Sequence, residues 1–253
     1  MRTPWFVAGS FTLAAVLSAS PVAFASAEAL PQNASTIVLE SMPPEARGDL
    51  FMARGEYVQA VDAYRQVSPM SAVVWNKLGI AWHHLSAVDE AKRDYERALL
   101  IRPNYPEAIN NLGAAYFEQK DYKKAIKLYR HALQLMPDSA VIAANLGTAY
   151  FARGKFKPGI VAYRKAFELD PSVFSDEAMT VRGGTTTADR SQQDYCLAEL
   201  FAQAGMKQAA IDYLRRAFDE GFHDRSRLMQ DAVFAQLRKT ADFAHLMAEQ
   251  KLR

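Results

Sequence analysis

Between Ala72 and Pro171 the chain states nearly the same pattern three times at a spacing of 34 residues. Trp75, Leu78, Gly79, Trp82, Ala91, Tyr95, Ala98 and Pro103 recur as Ile109, Leu112, Gly113, Tyr116, Ala125, Tyr129, Ala132 and Pro137. They recur again as Ala143, Leu146, Gly147, Tyr150, Gly159, Tyr163, Ala166 and Pro171. Self-similarity at such a period marks a repeat architecture, in which one small unit cannot bury its apolar stripe alone and gains stability by stacking on its neighbours.

Each copy reads as two helices. Trp75, Leu78, Trp82 and Leu85 fall at steps of three and four, and Val88, Ala91, Tyr95, Ala98 and Leu99 repeat that spacing after a polar break at Ser86. Gly79, Gly113 and Gly147 lie inside the first helix of each pair, where glycine costs about 1 kcal/mol against alanine, so close packing is expected there. With Ala91, Ala125 and Gly159 on the second helix, the small residues let the pair approach, and Trp82, Tyr116 or Tyr150 is expected to fill the remaining space. Pro103, Pro137 and Pro171 lack an amide proton and end each second helix.

These positions resemble the tetratricopeptide repeat family. The resemblance implies an all-α fold, a right-handed superhelical solenoid of antiparallel helix pairs, here with a small non-helical insertion before the last pair. It also implies a working surface, a concave groove lined by the first helices. Carried over position by position, the groove residues are Asn76, Lys77, Ile80, His83 and His84, then Asn110, Asn111, Ala114, Phe117 and Glu118, then Asn145, Thr148 and Phe151. Asn111 and Asn145 match a position whose carboxamide bonds the backbone of a bound extended peptide in some members; the bland alternative is that they bond their own repeat. Lys77 and Cys196 interrupt that ladder. His83, Phe117 and Phe151 share one position and are expected to form an aromatic row along the groove wall. With only Lys77 and Glu118 charged, the lining lacks the lysine cluster that grips a terminal carboxylate in chaperone-binding members.

The flanks complete the plan. Met1 and Arg2, an apolar run from Trp5 to about Leu17 and the small residues around Ala25 and Ala27 read as a signal peptide over residues 1–27. Gly9, Ser10, Thr12 and Pro21 break the run short of a membrane span, so no membrane insertion is expected after cleavage, and export to the periplasm or medium is. Residues 28–42 read as a flexible leader. Residues 43–171 hold four repeats, the first a weaker copy with Gly48, Phe51, Gly55, Tyr57, Ala60, Tyr64 and Val67 in register. Residues 172–190 are an insertion, in which Val181 to Thr187 reads as extended chain around a glycine turn. Leu197, Ala198, Phe201, Gly205, Ala210, Leu214 and Ala217 restore the pattern as a fifth repeat over 191–222. Residues 223–253 read as a cap of short helices. Gly221, Phe222, Leu228, Asp231, Phe234, Leu237, Arg238 and Phe243 resemble an ending of some bacterial members of the family, with Ala232 where that ending often has proline.

No zinc helix, nucleophile elbow, phosphate loop or cysteine pair is present in the sequence, so neither cofactor, metal nor catalytic residue is expected. His83 and His84 are neighbours on a helix and point about 100° apart, which does not suit chelation of one metal. The single cysteine, Cys196, cannot form an internal disulfide. The chain has 30 basic and 28 acidic residues, a balance that gives no general attraction to nucleic acid. The expectation is a non-enzymatic scaffold of the bacterial envelope that binds another protein or peptide in its groove. The alternative is a substrate-recognition subunit of an envelope enzyme complex, with the 172–190 insertion touching the catalytic partner.

Overall fold

The structure, a computed structural model, describes residues 41–68, 70–174 and 187–250. The expected signal peptide, nearly all of the leader and residues 175–186 of the insertion lie outside the described residues. Every regular element among the described residues is helical, and consecutive helices pack in pairs. The chain divides into two compact units, Met1–Pro103 and Asn104–Arg253.

The first unit contains α1 (Pro44–Ala53), α2 (Tyr57–Arg65), α3 (Ala72–His84) and α4 (Val88–Ile101). Pro44 starts α1, where a missing amide proton removes no helical bond. Ser71 caps α3 by accepting the Val74 amide through Oγ at 3.2 Å. A core of Ala60, Val61, Tyr64, Val74, Leu78 and Ala81 joins α2 to α3.

The second unit contains α5 (Pro106–Glu118), α6 (Tyr122–Leu135), α7 (Ala140–Ala152), α8 (Phe156–Leu169), α9 (Thr187–Gln203) and α10 (Lys207–Asp219). It ends with α11 (Arg225–Gln230) and α12 (Ala241–Glu249). The caps follow the same logic: Asp121 accepts from Lys124 N on α6, and Ser139 accepts from Ile142 N on α7. Short 3-10 turns at Pro171–Phe174, Ala232–Phe234 and Leu237–Lys239 complete the unit. Helix α9 begins at Thr187, four residues ahead of the start expected at Ser191. The turn inside each pair carries one left-handed residue: Gly55, Ser86, Lys120, Gly154 and Gly205 all have positive φ, so two pairs make with Ser86 and Lys120 a turn that suits glycine better.

The interior glycines show what each pair is built around, and correct one expectation. It is not Trp82, Tyr116 or Tyr150 that fills the space against the helical glycine but the tyrosine on the second helix. A Cβ on Gly48, Gly79, Gly113 or Gly147 would come within 2.4, 2.5, 2.8 and 2.2 Å of the rings of Tyr64, Tyr95, Tyr129 and Tyr163. Those four tyrosines are almost wholly buried. In the last pair the glycine position is Ala198 and the tyrosine position is Leu214, both buried in one cluster, so a larger first partner goes with a smaller second one.

The tyrosine hydroxyls need partners, and the first helix supplies them unevenly. Tyr64 Oη donates to Asp49 Oδ1 at 2.7 Å, Tyr95 Oη lies 3.3 Å from His83 Nδ1, and Tyr163 Oη lies 2.9 Å from Thr148 Oγ1. In the α5–α6 pair the matching positions are Ala114 and Phe117, and the Tyr129 hydroxyl is buried without a partner. Removing an orphaned hydroxyl sheds a desolvation cost, whereas removing a bonded one loses about 1 kcal/mol. Tyr129→Phe is therefore expected to leave the urea midpoint unchanged or raise it, and Tyr163→Phe to lower it by about 1 kcal/mol equivalent; equal losses would refute the assignment.

The C-terminal segment docks on α9 and α10 through Phe222, Leu228, Phe234, Leu237, Phe243 and Leu246, all buried. Phe222 stacks on Tyr195 at 4.3 Å and Phe234 meets the same ring edge-on at 5.7 Å. Arg238 Nη1 donates to the carbonyls of Asp231 and Leu228 at 2.7 and 3.2 Å, which holds the turn where Ala232 replaces proline. Asp231 caps that turn by accepting from Val233 N at 3.0 Å. A polar cluster sits beside this joint: Arg227 Nη2 is 3.1 Å from Glu199 Oε1 and its guanidinium lies over Tyr195 at 4.3 Å.

Burial, with Asp231 nearby, pushes the Glu199 carboxyl up to about 7 despite Arg227. A carboxyl whose folded pKa is raised binds its proton more tightly in the native state. Its stabilising contribution is complete below the ordinary carboxylate range and is lost as pH climbs towards 7. Glu199→Gln is thus expected to flatten the fall in thermal stability between about pH 4.5 and 7; an unchanged slope would show that Glu199 ionises normally.

Candidate functional site

The positions expected to line a groove fall on α3 in the first unit and on α5 and α7 in the second. On α3, Asn76 and Ile80 are buried. Lys77 Nζ makes ion pairs with Glu45 Oε1 at 2.8 Å and Asp49 Oδ2 at 2.7 Å. Burial pulls the Lys77 ammonium down, but the two carboxylates outweigh it and the net shift is upward. His83 faces Tyr95, and His84 stacks on Tyr57 with ring centroids 4.3 Å apart; burial and the adjacent His83 both lower the His84 pKa. These side chains tie α3 to α1, α2 and α4.

On α5 and α7 the carboxamides join one another. Asn145 Nδ2 donates to Asn110 Oδ1 at 3.1 Å, and Asn110 Nδ2 donates to Asn111 Oδ1 at 3.3 Å, so a chain of three amides crosses from α7 to α5. All three are buried. Thr148 Oγ1 donates to the Ala144 carbonyl at 3.1 Å, Ala114 is buried, and Glu118 is exposed at the end of α5.

The aromatic row does not form a groove wall. Phe117 and Phe151 are 0% exposed. The aromatic residue opening each second helix folds back over them: Phe117 packs against Tyr122 at 5.2 Å, and Phe151 against Phe156 at 6.0 Å and Tyr163 at 5.0 Å. A phenylalanine at this position closes its own helix pair, and its aromatic partner stands five residues downstream in both copies that carry it.

Open surface lies in each unit between successive second helices, at positions outside the expected groove lining. In the first unit a cavity of about 240 Å3 has Trp75, Leu78 and Trp82 as its floor, flanked by α2 and α4. The arginines partly cover it: Arg97 lies over Trp75 at 4.6 Å and Arg65 over Trp82 at 5.1 Å. Arg97 also pairs at 2.9 Å with the buried Asp94, whose carboxyl burial pushes up and Arg97 pulls down, with a net rise. In the second unit the corresponding groove between α6 and α8 has a volume of about 470 Å3, with Leu133, Leu146, Tyr150 and Ala162 among its lining. Ala143 occupies the register position of Trp75 and is fully buried, so no large ring forms a floor at that place.

Among the described residues no group of three or more histidine, cysteine, aspartate or glutamate side chains is placed to hold a metal ion, and no helix is long and apolar enough to cross a membrane. Cys196 is buried, and burial pushes its thiol up to about 12, so it packs as an apolar side chain.

The tetratricopeptide repeat family model matches residues 70–138 and 104–172. A peroxisomal targeting signal receptor of Kluyveromyces lactis is 30% identical over 76 residues, which is 28% of this chain and 13% of that protein. The chain thus spans only a small part of that relative's length. Among solved structures, Pseudomonas aeruginosa pilF superposes with a TM-score of 0.54 at 19% identity, over 87% of this chain and 91% of that one. A crystal structure of MamA gives a TM-score of 0.49 at 20% identity, over 68% and 93%. The pilF superposition agrees with the fold built from the glycine–tyrosine contacts. Residues 70–172 match the tetratricopeptide repeat model, and their paired helices are of the kind that form protein–protein interaction modules.

Proposed function

We propose that this chain is an exported interaction scaffold of the bacterial envelope that holds an extended segment of a partner protein against the first helices of its second unit. The observation that carries the reading is the chain of carboxamides from Asn145 through Asn110 to Asn111. A buried amide gains little net stability over an apolar residue of similar shape, so packing alone does not call for three of them. A carboxamide has two N–H donors and two acceptor lone pairs, so Asn110 and Asn145 can bond along the chain of amides and still meet a peptide backbone. The repeat stretch shared with a protein named as a targeting signal receptor supports a peptide-binding role. The sequence of residues 1–27 supports export, and the repeat scaffold supports binding over catalysis.

The test is site-specific photo-cross-linking in cells, with the reactive residue replacing Glu118 at the exposed end of α5 or Met229 on α11. The reading expects the shortened, leader-free chain in the envelope fraction and a discrete adduct from position 118 that position 229 does not give. A chain that keeps its leader in the cytoplasm, or adducts from position 229 alone, would overturn it.

A further inference from the structure

We infer that the groove between α6 and α8 is a second docking site, built for an acidic amphipathic helix of a partner protein. The near-balance of charge in the whole chain conceals a local excess. Helix α6 carries Lys123, Lys124, Lys127 and Arg130 and no carboxylate, while α8 carries Lys157, Arg164 and Lys165 against Glu168 alone. Lys124 is used locally, paired with Asp121 at 3.1 Å and lying over Tyr116. Lys123, Lys127 and Arg130 stand at steps of four and three, so they form one stripe along α6, and Arg130 places that stripe on the rim of the groove. Lys165 marks the opposite rim on α8.

Between these rims the surface is apolar. Leu133, Leu146 and Tyr150 lie in the groove, and Val161 stands 68% exposed on its α8 wall. An exposed branched apolar side chain beside Lys165, facing the cationic stripe of α6, matches a helix that presents a leucine stripe downward and carboxylates on both flanks. Charge complementarity chooses acid over base. Shape chooses a helix over a bilayer, because Leu146 is nearly buried at the bottom of a cleft that a flat membrane does not enter. A single-stranded nucleic acid would need a series of stacking rings, and Tyr150 is the one aromatic side chain in the lining. This site is independent of the amide chain on α5 and α7.

The probe is a fluorescent helix-forming peptide of about 14 residues, with leucine at one i, i+3, i+7 stripe and glutamate on either flank, titrated by anisotropy into the mature chain. Its lysine-flanked counterpart, an anionic vesicle and a single-stranded oligonucleotide serve as competitors. The inference expects the acidic peptide to bind, its affinity to fall between about 50 and 200 mM salt, and the double variant Arg130→Glu/Lys165→Glu to weaken it at least about 10-fold. Val161→Asp is expected to weaken it similarly, and because Val161 is exposed the circular dichroism melt should not move. Equal binding of the lysine peptide, full competition by vesicle or oligonucleotide, or retained affinity in the charge-reversed variant would each overturn the inference. So would a dimer of the free chain that Val161→Asp dissociates, since the groove would then be a contact between copies.

Discussion

Phe117→Ala is expected to lower the stability of the second unit by about 3–5 kcal/mol, seen as a shift in the urea midpoint at constant slope. The ring is fully buried, packs on Tyr122, and belongs to the cluster that holds Tyr129, Leu146 and Ala149. Truncation leaves a cavity among helices that cannot collapse independently, because α5, α6 and α7 share that cluster. Phe151→Ala is expected to behave alike, with Phe156 and Tyr163 losing their contact. Had these rings lined an open groove, the same substitutions would change binding and leave stability within about 0.5 kcal/mol. The denaturation curve decides between the two, and either variant is a poor probe of partner binding because any loss could follow from unfolding.

Gly147→Ala comes next in size. Its added Cβ would stand 2.2 Å from Tyr163 Cδ1, and the ring is held from other sides by Phe151 and Phe174 at 5.0 and 4.9 Å and by its hydroxyl on Thr148. With no direction in which to yield, the pair must separate, at a cost of about 3 kcal/mol. Gly154→Ala is the informative control: nothing lies within 4 Å of its Cβ, and its positive φ alone sets a loss of about 1–2 kcal/mol. The last pair suggests the rescue. Gly147→Ala/Tyr163→Leu copies the Ala198 and Leu214 combination, and the double variant is expected to be more stable than the sum of the single losses by more than about 1 kcal/mol. Strict additivity would mean that the glycine and the tyrosine do not meet.

The helix pairs were legible because their determinants are local and repeated: a glycine in the first helix, a tyrosine sixteen residues later, a proline at the exit. Which residue fills the space against the glycine was not legible, since Trp82 and Tyr95 are both large and both apolar-facing, and only the path of the second helix decides between them. The burial of Phe117 and Phe151 is not legible for a related reason. Register fixes the side of a helix a residue occupies, but Tyr122 and Phe156 reach it through space and close it over. The cationic rims of the α6–α8 groove were present in the sequence as a run of lysines without an acid and vanished when charge was summed over the chain. The joint of Glu199, Arg227 and Asp231 was hidden more deeply, because it forms only when the C-terminal segment folds back onto α9.

The most direct test of the account is an exchange of the amide pair. Asn110→Leu/Asn145→Leu removes both partners of the 3.1 Å bond, substitutes apolar side chains of similar size, and takes from Asn111 Oδ1 the donor it has in Asn110. If these carboxamides exist to hold a partner, stability falls by no more than the roughly 1–3 kcal/mol that the lost donor to Asn111 costs, while recovery of the cross-linked partner is lost. A chain that unfolds early, or one that keeps its partner in full, would contradict it.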